Sequence, residues 1–178
     1  MAATPSHPPT PTRGAHRALY TPDERRRRDA SRWTVVQGVL APLQLLVMLG
    51  SAALLLRYLA TGAGWAPAAL SVVAKTVLLY AIMVTGSLWE RDVYGRWLFA
   101  PAFFWEDVVS MGVLALHTAY LAGLAWPVLD HRGLAWLALA AYAAYAVNAT
   151  QFLLKLRAAR LQERAGRAPS PRALEAVA

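Results

Sequence analysis

The chain has 178 residues, of which 57% are hydrophobic and only 16% are charged, and it contains no cysteine. This composition excludes a disulfide-stapled domain and a thiolate metal site, and its long apolar runs are typical of one membrane-embedded helical unit. The net charge of +8 arises mainly from the two ends of the chain, which indicates membrane topology and contact with anionic lipid and argues against nucleic-acid binding.

The first 18 residues are rich in Pro, Thr and Ala and cannot bury enough apolar surface to fold alone. We therefore predict a disordered N-terminal tail over residues 1–18. A helix start follows, because Thr21 suits the N-cap, Pro22 suits the first helical position, and two acidic residues complete the first turn. The four arginines at 25–28 then predict a solvated, basic segment at the membrane surface.

Four apolar stretches are long enough to cross a bilayer as helices. The predicted spans lie at about 33–58, 67–89, 101–126 and 134–156, within one unit that covers residues 19–161. A basic and mostly disordered C-terminal tail is expected over residues 162–178. The sequence thus predicts an all-α protein, an integral membrane bundle of four transmembrane helices.

The distribution of Lys and Arg predicts how this bundle sits in the membrane. Both ends of the chain are strongly basic, and the connection at 90–100 carries two arginines. The connection at 61–66 carries no basic residue, and the connection at 127–133 carries one. The positive-inside rule therefore predicts that both termini and the 90–100 loop are cytoplasmic.

Two ionisable residues of the second span have ordinary interpretations. Lys75 lies about two turns into the span, and we expect its flexible stem to carry the ammonium toward the far surface. A buried role with a partner is the alternative. Glu90, at the end of the span, is expected to be interfacial and solvated.

The third span carries the strongest indication of a functional site, because ionisable residues inside a membrane need a partner, a cavity or a substrate. Glu106, Ser110 and His117 fall on one helical stripe, and Asp107 lies about a quarter turn away. A rise of ~1.5 Å per residue separates His117 from Glu106 by roughly 16 Å. The ordinary alternatives are acids favoured by the helix N-terminus and a hydrogen-bonded structural histidine.

Other polar and aromatic residues are predicted to lie at the same depth. Asn148 and Gln151 are three residues apart on one face of the fourth span, where they either join the site or hydrogen-bond between helices. Aromatic residues cluster beside the carboxylates and either line a pocket or form an interfacial belt. Those predicted to line a pocket are Trp89, Trp97, Phe104 and Trp105.

Four long phrases of the sequence closely resemble the vinyl bacteriochlorophyllide hydratase family. The phrases are LYTPDERRRRDASRWTVVQGVLAPLQ, SVVAKTVLLYAIMVTGSLWE, RWLFAPAFFWEDVVSMGVLALHTAYLA and NATQFLLKLRAARL, between residues 19 and 161. The resemblance implies a hydro-lyase of bacteriochlorophyll biosynthesis in a bacterial inner (cytoplasmic or intracytoplasmic) membrane. Such an enzyme adds water across the C3-vinyl group of a (bacterio)chlorophyllide, an Mg-tetrapyrrole, to give a 1-hydroxyethyl group.

The implied chemistry gives each candidate residue a role. Glu106 and Asp107 are expected to be the catalytic pair, one protonating the vinyl group and the other accepting a proton from water. His117 is expected to bind substrate, with an axial contact to the substrate's Mg as one option. Asn148 and Gln151 would orient the water or a ring carbonyl, and the aromatic residues would stack on the macrocycle.

The expected partners follow from the same implication. They are an Mg-tetrapyrrole, water and membrane lipid, with no nucleic acid; contact with other enzymes of the pathway and a homo-oligomer stay open. No cofactor is expected, since the only metal needed is the Mg that the substrate carries. The chief alternative is a non-catalytic membrane protein that binds pigment or assists its assembly, and a small transporter is a weaker one.

Overall fold

The computed structural model describes residues 19–126 and 128–167, and all regular secondary structure within them is helical. The five helices are α1 (Pro22–Ala30), α2 (Arg32–Thr61), α3 (Trp65–Tyr94), α4 (Phe104–Ala125) and α5 (His131–Arg167). The tail predicted over 1–18 lies outside the described residues, as do residues 168–178 of the predicted C-terminal tail. Residues 162–167 continue α5.

Helices α2 to α5 are long and apolar enough to cross a membrane. At most 33% of each apolar segment is buried inside the bundle, and large side chains such as Val35, Leu46 and Leu70 are 67–70% exposed. Exposure of so much apolar surface is unfavourable in water and favourable in a bilayer. The protein is a membrane protein, and the predicted all-α bundle of four transmembrane helices is confirmed.

The four long helices form two antiparallel hairpins. Helix α2 packs mainly against α3, and α4 packs mainly against α5, whereas contacts between the two hairpins are fewer. Both hairpins contribute to one core, with Leu55 and Val72 from the first and Val113 and Ala138 from the second. We call the boundary between the hairpins the seam.

The basic segment forms the short helix α1, as predicted. A reciprocal capping box closes its first turn, in which the Glu24 N–H donates to Thr21 Oγ1 (3.3 Å) and the Thr21 N–H donates to Glu24 Oε2 (2.7 Å). Helix α1 lies against α3, where Tyr20 stacks on Tyr94 with 6.1 Å between ring centroids. The predicted N-cap at Thr21 is confirmed.

One end of the bundle, which we call the loop end, brings four helices together. Ser31, before α2, donates a hydrogen bond to Asp92 near the end of α3 (2.8 Å). Lys155 of α5 donates to the carbonyl of Ala102, in the loop that leads into α4. That loop closes with a turn in which the Phe103 N–H donates to the Ala100 carbonyl (2.8 Å). Helix α4 therefore begins at Phe104, three residues after the proline at which the third span is predicted to begin.

Candidate active site

Two buried carboxyl groups from different helices are held side by side at the loop end. The Phe99 N–H donates to Asp107 Oδ2 (2.8 Å), and the next N–H, of Ala100, donates to Glu90 Oε2 (3.0 Å). Asp107 lies in the first turn of α4, and Glu90 lies in the last turns of α3. Consecutive backbone amides thus hold one carboxyl group from each hairpin, and the two groups are close enough to interact electrostatically.

This arrangement has a direct chemical consequence. Glu90 and Asp107 are only 5% and 4% exposed, so water screens little of the repulsion between two negative charges there. Two adjacent carboxyl groups in such a place are best stabilised by sharing one proton. The pair can then donate a proton from one member and accept one at the other. The expectation that Glu90 is solvated is wrong, because the loop folds over it.

The loop is held in an unusual conformation at this point. Phe99 has φ of +58°, a left-handed conformation that few residues other than glycine adopt. Its N–H is the one that binds Asp107. A backbone conformation of this kind persists only where the surrounding contacts hold it, and it is frequent at functional sites.

Glu106 has a different partner. Its Oε2 forms an ion pair with the Lys155 ammonium at 2.5 Å, and the Glu106 side chain is 9% exposed. Lys155 also lies 5.0 Å from the centroid of the Phe103 ring. The sequence paired Glu106 with Asp107, but the two side chains leave α4 in different directions, one toward α5 and the other toward α3. We refer to Glu90, Glu106, Asp107 and Lys155 as the carboxyl layer.

The amide residues of α5 lie next to this layer. Asn148 is 8% exposed and donates from Nδ2 to Ser110 Oγ of α4 at 2.7 Å. The remaining oxygens, Asn148 Oδ1 and Gln151 Oε1, are buried and have no hydrogen-bond partner among residues 19–126 and 128–167. Two unoccupied acceptors of this kind can bind a water molecule or a hydroxyl group.

A second polar group lies deeper in the bundle, around Lys75. Lys75 is 0% exposed, its ammonium donates to Gln44 Oε1 of α2, and it lies 3.9 Å from the centroid of the Tyr145 ring of α5. The expectation that this side chain reaches for the surface is wrong, and the alternative of a buried partner is right. We refer to Gln44, Lys75, His117 and Tyr145 as the lysine cluster.

His117 is also 0% exposed and belongs to this deeper level. Its Nδ1 lies 2.8 Å from the Val113 carbonyl, and since a carbonyl oxygen only accepts, Nδ1 carries the hydrogen. Nε2 of the neutral ring therefore has a lone pair, and no group in the described part of the chain hydrogen-bonds to this buried atom. The ring lies against Tyr142, with 5.8 Å between centroids, and the charge of Lys75 acts on it.

The predicted aromatic residues are not brought together as one wall. Trp97, Phe104 and Trp105 are 55%, 43% and 70% exposed and lie on the outer surface of the loop end. Trp89 is half-buried and donates from Nε1 to Thr34 Oγ1 at 3.0 Å. Phe103, which is 2% exposed and contacts Lys155, reaches the carboxyl layer, although it is not among the four aromatic residues predicted to line the pocket.

Sequence reasoning also missed the partners of the predicted residues. Lys155 and Tyr145 were predicted only to lie within the fourth span, with no partner assigned to either. One signal was available, since Gln44 and Lys75 are both polar residues in the middle of apolar spans. An open depression of about 490 Å³ at the opposite end of the bundle, near Leu124 and His131, contains none of the predicted site residues.

Comparison with known proteins shows which proteins this chain is similar to. The family model described as 2-vinyl bacteriochlorophyllide hydratase matches residues 20–158. A protein of Cereibacter sphaeroides named 2-vinyl bacteriochlorophyllide hydratase is 60% identical over 153 residues, covering 86% of this chain and 95% of that protein. A Rhodobacter capsulatus protein of the same name is 56% identical over 158 residues, covering 89% and 90%. No solved structure matches the chain.

Proposed function

This chain belongs to the 2-vinyl bacteriochlorophyllide hydratase family, and we propose that its carboxyl layer performs the water addition. The enzyme is a hydro-lyase of bacteriochlorophyll biosynthesis that hydrates the vinyl group of its substrate. Position 2 in the name of the family is position 3 in the current numbering of the macrocycle. The product carries a 1-hydroxyethyl group.

The observation that carries the assignment to specific residues is the pairing of Glu90 and Asp107 on consecutive amides. Hydration needs one proton donor and one proton acceptor, and this pair supplies both. The protonated member gives its proton to the terminal vinyl carbon, and the π electrons of the double bond form the new C–H bond. The positive charge then lies on the carbon attached to the ring, where the conjugated macrocycle delocalises it.

The second half of the reaction restores the pair. The oxygen of a water molecule attacks the cationic carbon, and the ionised member of the pair accepts the proton that the water releases. The total number of protons on the two carboxyl groups is unchanged. One proton transfer between Glu90 and Asp107 returns the pair to its starting state, so no external proton is needed.

The Glu106 carboxylate and the side-chain amides of Asn148 and Gln151 support this reaction. The carboxylate of Glu106, fixed by Lys155, is placed to stabilise the positive charge that develops on the substrate. The unoccupied oxygens of Asn148 and Gln151 accept hydrogen bonds from the attacking water. The reacting groups are thereby oriented before the chemistry begins.

The macrocycle lies in the seam between the hairpins, with its vinyl edge at the carboxyl layer. His117 projects from α4 about ten residues deeper than Asp107, roughly 15 Å along the helix axis. Its Nε2, which has no hydrogen-bond partner among the described residues, offers a lone pair to the substrate at this depth, and it reaches the substrate's Mg through a water. We propose no cofactor beyond the Mg that the substrate itself carries.

The test is a hydration assay on membranes that contain the protein, supplied with a vinyl bacteriochlorophyllide in D₂O. We expect an absorption band that is blue-shifted from that of the vinyl substrate, and a 1-hydroxyethyl product with one deuterium in its methyl group. Water labelled with ¹⁸O should place the label in the hydroxyl group. Asp107→Asn and Glu90→Gln should each abolish most of this conversion while pigment binding persists.

Two outcomes would contradict the proposal. Pigment bound by the wild-type protein without any conversion would favour the alternative, a non-catalytic pigment-binding or assembly protein. Conversion that survives both substitutions at the wild-type rate would show that the chemistry occurs elsewhere in the bundle. Thr76→Val is a suitable control, since Thr76 is buried and donates only to the Val72 carbonyl of its own helix.

The proposed placement is the bacterial inner membrane, with the loop end and both termini in the cytoplasm. It rests on the basic residues of α1, of the loop end and of the end of α5. Cysteines introduced at Arg26 and Arg96 should react with a membrane-impermeant reagent only after the membrane is opened, and one at Ala63 before. The opposite pattern would invert the orientation.

The basic helix α1 gives the loop end a surface for anionic lipid. Arg26 and Arg27 are exposed and lie where the start of α2 meets the membrane surface. Water and the tetrapyrrole are the reactants, and nucleic acid is not a proposed partner. Contact with other enzymes of the pathway and self-association stay predictions from the sequence.

A further inference from the structure

The lysine cluster contains a buried amino group that has no acidic partner among the described residues. Lys75 is fully buried, and its partners within the described residues are the neutral Gln44 amide and the face of the Tyr145 ring. An ammonium has three N–H donors, and the Gln44 oxygen takes one of them. Ionisable residues at this depth are costly and are usually explained by a ligand or a pathway.

The surroundings of Lys75 are equally incomplete. His117 Nε2 and the Tyr120 hydroxyl are both buried, both residues are 0% exposed, and neither atom has a hydrogen-bond partner among the residues that the structure describes. A short chain of hydroxyl groups lies nearby, from Tyr142 to Ser51 at 2.7 Å and from Ser51 to Ser71 at 2.7 Å. All four transmembrane helices therefore contribute polar groups to one buried place, and several of these groups lack partners.

The position of the cluster relates it to the carboxyl layer. Tyr145, which lies over the Lys75 ammonium, precedes Lys155 by ten residues on α5, about 15 Å of helix. One tetrapyrrole macrocycle with its substituents is long enough to reach from the carboxyl layer to the lysine cluster. The lysine cluster also spans the seam, because Gln44 and Lys75 belong to the first hairpin, and His117 and Tyr145 to the second.

From this geometry we propose that Lys75 binds an oxygen acceptor on the macrocycle edge that does not carry the vinyl group. The inference rests on the proposed function, and it adds a subsite that fixes which edge of the substrate faces the carboxyl layer. A bacteriochlorophyllide carries several such acceptors away from the vinyl group, and the experiment tests two of them, the ketone of its fifth ring and the carboxylate of its propionate chain. Either one accepts a charged hydrogen bond from the ammonium.

Occupation of the subsite requires the hairpins to separate along the seam. Lys75 and His117 are both 0% exposed in the structure, so the described conformation is closed. The sparse contacts between the hairpins make the seam the weakest boundary in the bundle. A flat ligand that enters there would take the place of the Lys75–Tyr145 contact and satisfy the remaining ammonium donors.

The experiment compares binding of three substrates to the wild-type protein and to Lys75→Met. The substrates are the free acid, its propionate methyl ester and a derivative in which the ring ketone is reduced. The wild type should bind the derivative that lacks the true acceptor about ten- to hundredfold more weakly than the free acid, and Lys75→Met should bind both equally. Thr76→Val should keep the wild-type discrimination.

A spectroscopic readout identifies the acceptor without reference to turnover. Resonance Raman spectra of the bound free acid should show a ketone stretch lowered by hydrogen bonding in the wild type and restored in Lys75→Met if the ketone is bound. If the carboxylate is bound, esterification weakens binding and the ketone stretch is unaffected. The wild-type arms need no variant, so a wild type that binds all three substrates equally overturns the inference even if Lys75→Met does not fold. If the variant does not fold, Lys75→Gln, which removes the charge and keeps a polar side chain, takes its place.

The outcomes separate this inference from the proposed function. If the wild type binds all three substrates equally, and Lys75→Met changes only thermal stability, Lys75 is a structural residue and the inference is overturned. If binding depends on Lys75 but no hydration occurs, the subsite stands and the proposed function fails. If hydration occurs but neither binding nor discrimination depends on Lys75, the proposed function stands and the subsite fails.

Discussion

The carboxyl layer and the lysine cluster differ in the partners of their buried ionisable side chains. In the carboxyl layer each charge has a partner of its own: Lys155 pairs with Glu106, and backbone amides hold Glu90 and Asp107. In the lysine cluster the Lys75 ammonium contacts only neutral groups within the described part of the chain, and nearby acceptors have no hydrogen-bond partner there. The first site is complete without a ligand, whereas the second lacks one. A protein that positions a large substrate needs both.

The largest expected effect comes from neutralising the carboxyl pair. Asp107→Asn or Glu90→Gln should lower the hydration rate by about 10²–10⁴-fold, because each removes either the donor or the acceptor of the proton. The double variant should be no slower than the slower single variant, since the two groups act as one unit. Rates measured by product absorption, with bound pigment as reference, would check this. Additive losses would show that the two groups act separately.

The next effect tests the ion pair of the same layer. Lys155→Met leaves the Glu106 carboxylate buried without a counter-charge, and we expect a loss of roughly 2–3 kcal/mol in unfolding free energy. This loss in unfolding free energy is smaller than that expected for a fully buried ion pair, because the Lys155 side chain is 27% exposed and water partly screens the charges. Thermal unfolding in detergent would measure it. Adding Glu106→Gln to this variant should restore most of the loss; no recovery would mean that Lys155 stabilises through its other contacts.

Replacing the lysine of the lysine cluster by methionine should change the free energy of unfolding much less than Lys155→Met does. Lys75→Met removes a buried charge that has no acid partner and leaves one Gln44 oxygen unsatisfied, so the two effects oppose each other. We expect a change of less than about 1 kcal/mol in unfolding free energy. A loss as large as that of Lys155→Met would erase the contrast between the two sites.

The smallest effect is expected at the surface of the loop end. Trp105 is 70% exposed, and Trp105→Ala should change the hydration rate by no more than about twofold while weakening anchoring at the membrane interface. Trp97→Ala should behave in the same way. A tenfold loss of substrate affinity in either variant would instead support the prediction that these residues stack on the macrocycle.

Much of the fold was predictable because it depends on local properties of the chain. Apolar length predicts the four spans, and the Thr21 capping box predicts the start of α1. The neighbours of each polar residue were not predictable, because they depend on the order of the helices around the bundle. Lys75 illustrates the limit: its own helix allows the side chain to reach the surface, and only the placement of Gln44 and Tyr145 gives it buried partners.

In the candidate site, too, the sequence predicts positions on a helix but not the partners of the side chains. Helix geometry separates the side chains of Glu106 and Asp107 by about a quarter turn, which the sequence does predict. It does not predict that one faces Lys155 and the other Glu90, since those partners lie 49 and 17 positions away in the chain. The loop that covers Glu90 depends on a left-handed Phe99, a conformation that its residue type disfavours.

The loop between the hairpins has a consequence for biogenesis. Each hairpin is made of neighbouring segments and can pair within itself as soon as its two helices are inserted, whereas the carboxyl layer requires both. The amides of Phe99 and Ala100, which bind one carboxyl group from each hairpin, can do so only after the hairpins dock. If the carboxyl pair performs the proton transfers that we propose, the protein becomes catalytically competent only when the two hairpins have docked.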